Sequence, residues 1–186
     1  MIVAGLDTET TGILKPEHRI IELCLQKWDF NPSTFEAKLI RTDTWRIHPE
    51  RSIEAGAYAV HKISLDDLAG RPNWLNSSPY ILDAMKGVDL FVAHNGAEFD
   101  RPFIRMECER NRLPLAPLDA QKWYDTMLGG RWATAWGKAP NLQELCWACD
   151  VEYDPEKSHA AEYDVRVMME AFFFGVRAGF FKPFEA

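Results

Sequence analysis

The stretch Ile2-Val3-Ala4-Gly5-Leu6-Asp7-Thr8-Glu9-Thr10-Thr11-Gly12 decides how this chain is read. Residues 2–6 are apolar on both faces of an extended segment, the mark of a buried strand, and Thr10-Thr11-Gly12 is a turn signal that ends it. Asp7 and Glu9 follow the apolar run at a spacing of two. On a strand that spacing projects both carboxylates from one face, about 7 Å apart along the chain. Like charges this close repel, and burial raises the cost further. A cation between them removes both penalties; a polar strand end leading into a turn is the plainer alternative.

Outward from that strand, residues 19–28 and 37–48 read as two further strands, with Pro32 and Ser33 in the turn of a hairpin-like meander. Helical spacing appears over residues 66–68 and 78–86, with Gly87 as a C-cap. Residues 89–93 form a short apolar strand, 102–112 a helix, and 123–128 a last strand followed by a loop through Pro140. Asn141 caps a helix that runs to Cys149, and residues 161–177 make the longest helix. Strands first, then strands alternating with helices, indicate an α/β domain with a mixed sheet covered by helices. The 186 residues suit one domain spanning 1–186, and no repeat or linker divides them.

Two later acids stand where an acid needs a reason. In the last helix Ala161, Val165, Met168, Met169, Phe172, Phe173 and Val176 form an apolar stripe, and Asp164 falls within it. A carboxylate there requires a charged partner. That partner is a metal ion or a buried cation such as Arg19 or Arg105. Asp100 stands two residues before Pro102, where it can cap the following helix or, held outside helical geometry with Arg101, reach a metal. His159 precedes Asp164 by five residues, and Pro155 and Ser158 place it before the helix, on a loop. From such a loop an imidazole can take a proton from water near neutral pH, although a lone loop histidine is more often a surface residue.

Composition narrows the classes. The formal net charge of −7 and the lack of a dense Lys/Arg cluster argue against a protein that coats nucleic acid; a nucleic-acid substrate would be gripped locally, near a metal centre. The N-terminus has no basic region preceding its apolar run, and residues 171–176 are far too short to span a membrane, so a cytoplasmic protein with no membrane association is expected. Four cysteines do not suggest a secreted disulfide scaffold at this length. Cys146-Trp147-Ala148-Cys149 lacks a second pair at zinc spacing. Residues 131–138 interleave Trp132 and Trp136 with Arg131 and Lys138, either a base-stacking loop or a lid packed on the core. The aromatic segment 180–184 either closes the sheet or docks a partner.

The three acidic blocks, taken in order, resemble the DnaQ-like 3′→5′ exonucleases of the DEDD superfamily. Asp7-x-Glu9-Thr10-Thr11-Gly12 resembles the first motif, His94-Asn95-x-x-x-Phe99-Asp100 the second, and His159-x-Ala161-x-x-Asp164 the third. Ala160 stands where a sister group has tyrosine, which indicates the histidine subgroup. The resemblance implies a ribonuclease-H-like fold, with a central mixed five-stranded sheet flanked by helices. It implies two Mg²⁺ or Mn²⁺ ions bound by Asp7, Glu9, Asp100 and Asp164, with His159 as general base. Residues 57–63 resemble the stretch that lines the terminal-nucleotide pocket, making His61 a substrate contact, as is Thr10 through its backbone. Lys62 replaces the customary glycine, and Gly56 falls where some relatives carry a sugar-contacting glutamate, which leaves DNA or RNA preference open. The expected partner is a nucleic acid 3′ end, with DNA favoured over RNA. A proofreading role beside a separate polymerase, an exoribonuclease, a non-catalytic accessory module and a homodimer are the alternatives.

Overall fold

The computed structural model describes residues 1–115 and 122–184. Five strands, β1 (Ile2–Thr10), β2 (Ile20–Asn31), β3 (Glu36–Arg46), β4 (Leu90–Ala93) and β5 (Lys122–Asp125), form one mixed sheet in the order β3-β2-β1-β4-β5. β2 runs antiparallel to both β1 and β3, while β4 is parallel to β1 and β5 is parallel to β4. The C-terminal ends of β1, β4 and β5 therefore share one edge of the sheet. That edge carries Asp7, the segment after Ala93, and Asp125.

Alternation along β1 sorts the helices onto the two faces. Ala4 and Leu6 pack with Ile81 and Met85 of helix α2 (Trp74–Met85) and with Phe103 and Ile104 of helix α3 (Asp100–Arg110). Val3 faces the other way, against Val165, Met168 and Phe172 of the long final helix (Ala161–Arg177). Gly5 makes that second packing possible. A Cβ there would lie 2.5 Å from Met169 Cγ and 2.9 Å from Val165 Cγ1, so only glycine lets the helix settle this close to β1. Asp7 and Glu9 continue the face of Val3 and Gly5, and so look toward the start of the same helix.

The expected five-stranded mixed sheet is present, with several local corrections. Residues 66–68 make only turns, and α2 starts earlier than read, at Trp74, because the Asn73 side chain accepts from Asn76 N at 3.1 Å and caps it. Gly87 follows α2 with φ +67°, as a helix-terminating glycine should. A short helix, α1 (Ala55–His61), stands where no helix was expected. α3 begins at Asp100 with Phe99 as N-cap, so Asp100 is the first helical residue rather than a cap, and Arg101 is helical despite Pro102. The last strand stops at Asp125 instead of running on to residue 128. The Asp125 carboxylate accepts from Met127 N and Leu128 N at 2.9 and 3.2 Å and starts a short helix, α4 (Thr126–Gly129).

Two 3₁₀ turns, Gly130–Ala133 and Ala135–Gly137, follow it. Next comes α5 (Leu142–Ala148), with Asn141 and Glu144 in a reciprocal capping box, and then α6 (Ala161–Arg177). The C-terminal aromatics close the α6 face: Phe181 stacks near Phe172, Phe184 on Phe30, and Trp132 lies 4.3 Å from Phe180. No helix among the described residues is long and apolar enough to cross a membrane.

Candidate active site

Three elements bring the four acids together. β1 contributes Asp7 and Glu9, the N-terminus of α3 contributes Asp100, and the first turn of α6 contributes Asp164. Glu9, Asp164 and His159 each offer one ligand atom within 4.8 Å of the others. Asp7 lies close enough that the charges of Asp100, Glu9 and Asp164 all push its carboxyl well above the ordinary range, on top of the larger effect of burial. Burial, then Asp164, Glu22 and Asp100, raise Glu9 to about 8. Asp100 is buried and rises to about 7 for the same first reason, although the Thr8 hydroxyl donates to its Oδ1 at 2.7 Å.

Asp164 carries the sharpest sign of a missing positive charge. Its Oδ2 accepts from His159 N at 2.8 Å, while its buried Oδ1 has no hydrogen-bond partner. Burial raises its pKa also. The expected alternative, an ion pair with Arg19 or Arg105, is not what holds it. Arg19 donates instead to the carbonyls of Glu17 and His18, and Arg105 lies 4.0 Å from Glu109. A pocket of mutually repelling carboxylates with an orphaned acceptor fits hard divalent cations, which take oxygen ligands.

His159 sits before α6 in a left-handed conformation (φ +62°) and is exposed, free to approach Glu9 and Asp164 from the solvent side. His61 is buried and fully engaged. Ile63 N donates to its Nδ1 at 3.0 Å, so Nε2 carries the proton and donates to the Thr10 carbonyl at 3.2 Å. Desolvation lowers its pKa, which keeps the ring neutral. Beside it, Glu9, Thr10, Gly12, Ile13, Glu54, Ala57, Val60 and Phe99 line a largely apolar cavity of about 260 Å³. Thr10 and His61 thus stand together, with the Thr10 carbonyl already committed to His61.

The sequence reading passed over three side chains here. Glu22, opposite Glu9 in the β1–β2 register, is a fifth acid beside the set, buried and held by Arg46 Nε at 2.7 Å. An acid inside the apolar run of residues 20–25 was its signal. Thr8 orients Asp100. His18 is buried between Thr11 Oγ1 (3.0 Å) and Glu54 Oε1 (3.2 Å), fixing the wall of the cavity. Cys146 and Cys149 play no part. Both are buried and free, and desolvation lifts their thiols to about 12 and about 11.

Residues 4–172 match the exonuclease family RNase_T. The chain is 31% identical over 172 residues to the DNA polymerase III subunit epsilon of Treponema pallidum, covering 90% of this chain and 73% of that protein. It is 37% identical over 167 residues to the epsilon subunit of Buchnera aphidicola, covering 86% and 66%. Among solved structures, an E. coli ExoI–ssDNA complex superposes with a TM-score of 0.78 at 17% identity, over 95% of this chain and 40% of that one. At that identity the likeness is one of fold.

Proposed function

We propose that this chain, which belongs to the RNase_T exonuclease family, removes nucleotides from the 3′ ends of DNA by divalent-metal-dependent hydrolysis, releasing nucleoside 5′-monophosphates. The observation that carries the reading is the convergence of Asp7, Glu9, Asp100 and Asp164 into one site, where burial and then the charges of Asp100 and Asp164 raise the pKa of Asp7 and Glu9, with the Asp164 Oδ1 left unpartnered. Asp7, Glu9, Asp100 and Asp164 would hold two Mg²⁺ or Mn²⁺ ions, which when bound supply a clamp for the attacking and leaving oxygens of an in-line displacement.

The chain's own groups divide the remaining work. The cavity beside His61 takes the terminal nucleoside, with Ile13, Val60 and Phe99 as its apolar walls and the neutral His61 ring as one side. The Thr8 hydroxyl holds Asp100 in place, and Arg46 balances the Glu22 charge opposite Glu9. The His159 imidazole, exposed on its loop, takes the proton of the attacking water at a ring nitrogen and gives it up to solvent. The buried, free cysteines suit a reducing, cytoplasmic compartment.

Two relatives are polymerase subunits by name, and the chain covers 73% and 66% of them, which favours DNA over RNA and a proofreading role beside a separate polymerase. An accessory module without activity is disfavoured because every acid of the set, and His159, is present. The deciding experiment is a digest of matched 5′-labelled DNA and RNA, single- and double-stranded, with Mg²⁺, Mn²⁺ or EDTA. Shortening from the 3′ end of DNA only when metal is present is expected. Equal cutting in EDTA would sink the mechanism, and shortening of RNA alone would overturn the substrate.

A further inference from the structure

Trp136 is fully exposed, at 103% of its reference area, on a segment that is otherwise tied down. Its backbone is left-handed (φ +62°, ψ 16°), an uncommon state for an aromatic residue. Cross-braces hold the turn. The Thr134 hydroxyl donates to the Lys138 carbonyl, Arg131 donates to the Gly137 carbonyl at 3.2 Å, and Lys138 Nζ reaches both Glu144 oxygens at 2.9 and 3.2 Å. Nearby, Trp132 packs inward on Phe180 at 4.3 Å. The segment thus packs one indole against the C-terminal aromatics and presents the other on a fixed stalk.

Both ends of the segment are fastened beside the acids. At its start, the Asp125 carboxylate accepts from Asn95 N and Ala97 N, each at 3.1 Å, on the stretch that leads to Asp100. At its end, His94 Nε2 bonds the Pro140 carbonyl at 3.1 Å and Nδ1 bonds Thr126 Oγ1 at 3.0 Å. Trp136 is four residues from Pro140 and so within about 14 Å of that anchor. This is the edge of the sheet that carries Asp7 and, beyond β4, the segment leading to Asp100.

The chemistry around the ring selects its partner. A protein-docking tryptophan usually lies at the centre of a packed apolar patch. Here the neighbours in sequence are Thr134, Ala135, Gly137 and Lys138, and a Cβ on Gly137 would meet nothing within 4 Å. An isolated ring with both faces open matches the π-face of an unpaired base, which any sequence can offer. We propose that Trp136 is a stacking platform for a base of the single-stranded DNA on the 5′ side of the scissile bond. The inference rests on the exonuclease reading, which seats the terminal nucleotide in the cavity beside His61.

The test compares wild type, Trp136→Ala and Trp136→Phe on two substrates: a single-stranded oligodeoxynucleotide, and one nucleotide esterified to p-nitrophenol, which has no upstream base. Trp136→Ala should raise KM for the oligonucleotide on the order of tenfold, leave kcat nearly unchanged, and leave the ester unaffected; Trp136→Phe should restore most of the loss. An unchanged oligonucleotide KM, or equal losses on both substrates, overturns the proposal, the first outcome pointing to a protein partner for the ring. Quenching of tryptophan fluorescence by the oligonucleotide in chelator separates the two claims. Quenching that is weaker in Trp136→Ala supports stacking even if the wild type shows no turnover, which would count against the exonuclease reading alone. No difference in quenching counts against stacking.

Discussion

At the residue scale, Asp7 is the acid most crowded by its neighbours, and removing its charge should move stability and turnover in opposite directions. Asp7→Asn takes away one member of a repelling set, so the metal-free protein should be stabilised, read as a higher Tm in EDTA. The same change should abolish hydrolysis. A variant that loses both stability and activity would show that Asp7 acts as a structural anchor. His159 is exposed, and its side chain makes no described bond that the fold depends on. His159→Ala should therefore keep the wild-type Tm while the rate falls on the order of 10²–10⁴. These acids were legible because the residue types are wrong for their surroundings: paired carboxylates on an apolar strand, and one inside an apolar helical stripe. Glu22 carries the same kind of signal within its apolar run, but its place at the site depends on the pairing of β2 with β1, which no local pattern encodes.

At the scale of elements, the contact between β1 and α6 sets where Asp164 stands. Gly5→Ala would drive a methyl into Met169 and Val165, and the expected cost is about 1–3 kcal/mol together with a weakened site, measured by denaturant melts and by metal affinity. Full stability and affinity would show that α6 yields freely. Asp125 performs a second joining task, capping α4 while holding the stretch before Asp100. β4 and the long α6 were readable from apolar runs and helical period alone. α1 was not: its exposed Ala, Gly and Tyr residues show no apolar stripe, and it ends on Lys62 in a left-handed conformation whose N–H donates to the Tyr58 carbonyl. The aromatic stretch after residue 122 favours strand by type, yet the Asp125 side chain turns it into a helix, a competition that residue preferences do not record.

For the whole molecule, two sets of groups oppose each other with pH. Glu9 and Asp100 have folded pKa values of about 8 and about 7, above the ordinary 4.5 and 3.8, so the folded state holds protons more tightly than the unfolded one. Their contribution is fully present below the ordinary values of 3.8 and 4.5 and is lost progressively as pH rises to the folded values of about 7 and about 8. His94 runs the other way. Desolvation lowers it from 6.5 to about 4, and its contribution is lost as pH falls from 6.5 toward 4. Above pH 6.5 these carboxylates act without His94, so the Tm of chelated protein should fall from pH 6.5 to about 8 and then level off, while saturating Mn²⁺ should abolish the fall. A flat profile in chelator would mean that the acids are not crowded.

The pocket itself is probed most directly by calorimetric titration of Mn²⁺ into chelator-stripped protein near neutral pH. About two ions per chain should bind with release of protons from the acids, and Asp164→Ala should lose at least one of them. No saturable binding, or identical binding in the wild type and Asp164→Ala, would contradict a metal-holding carboxylate centre.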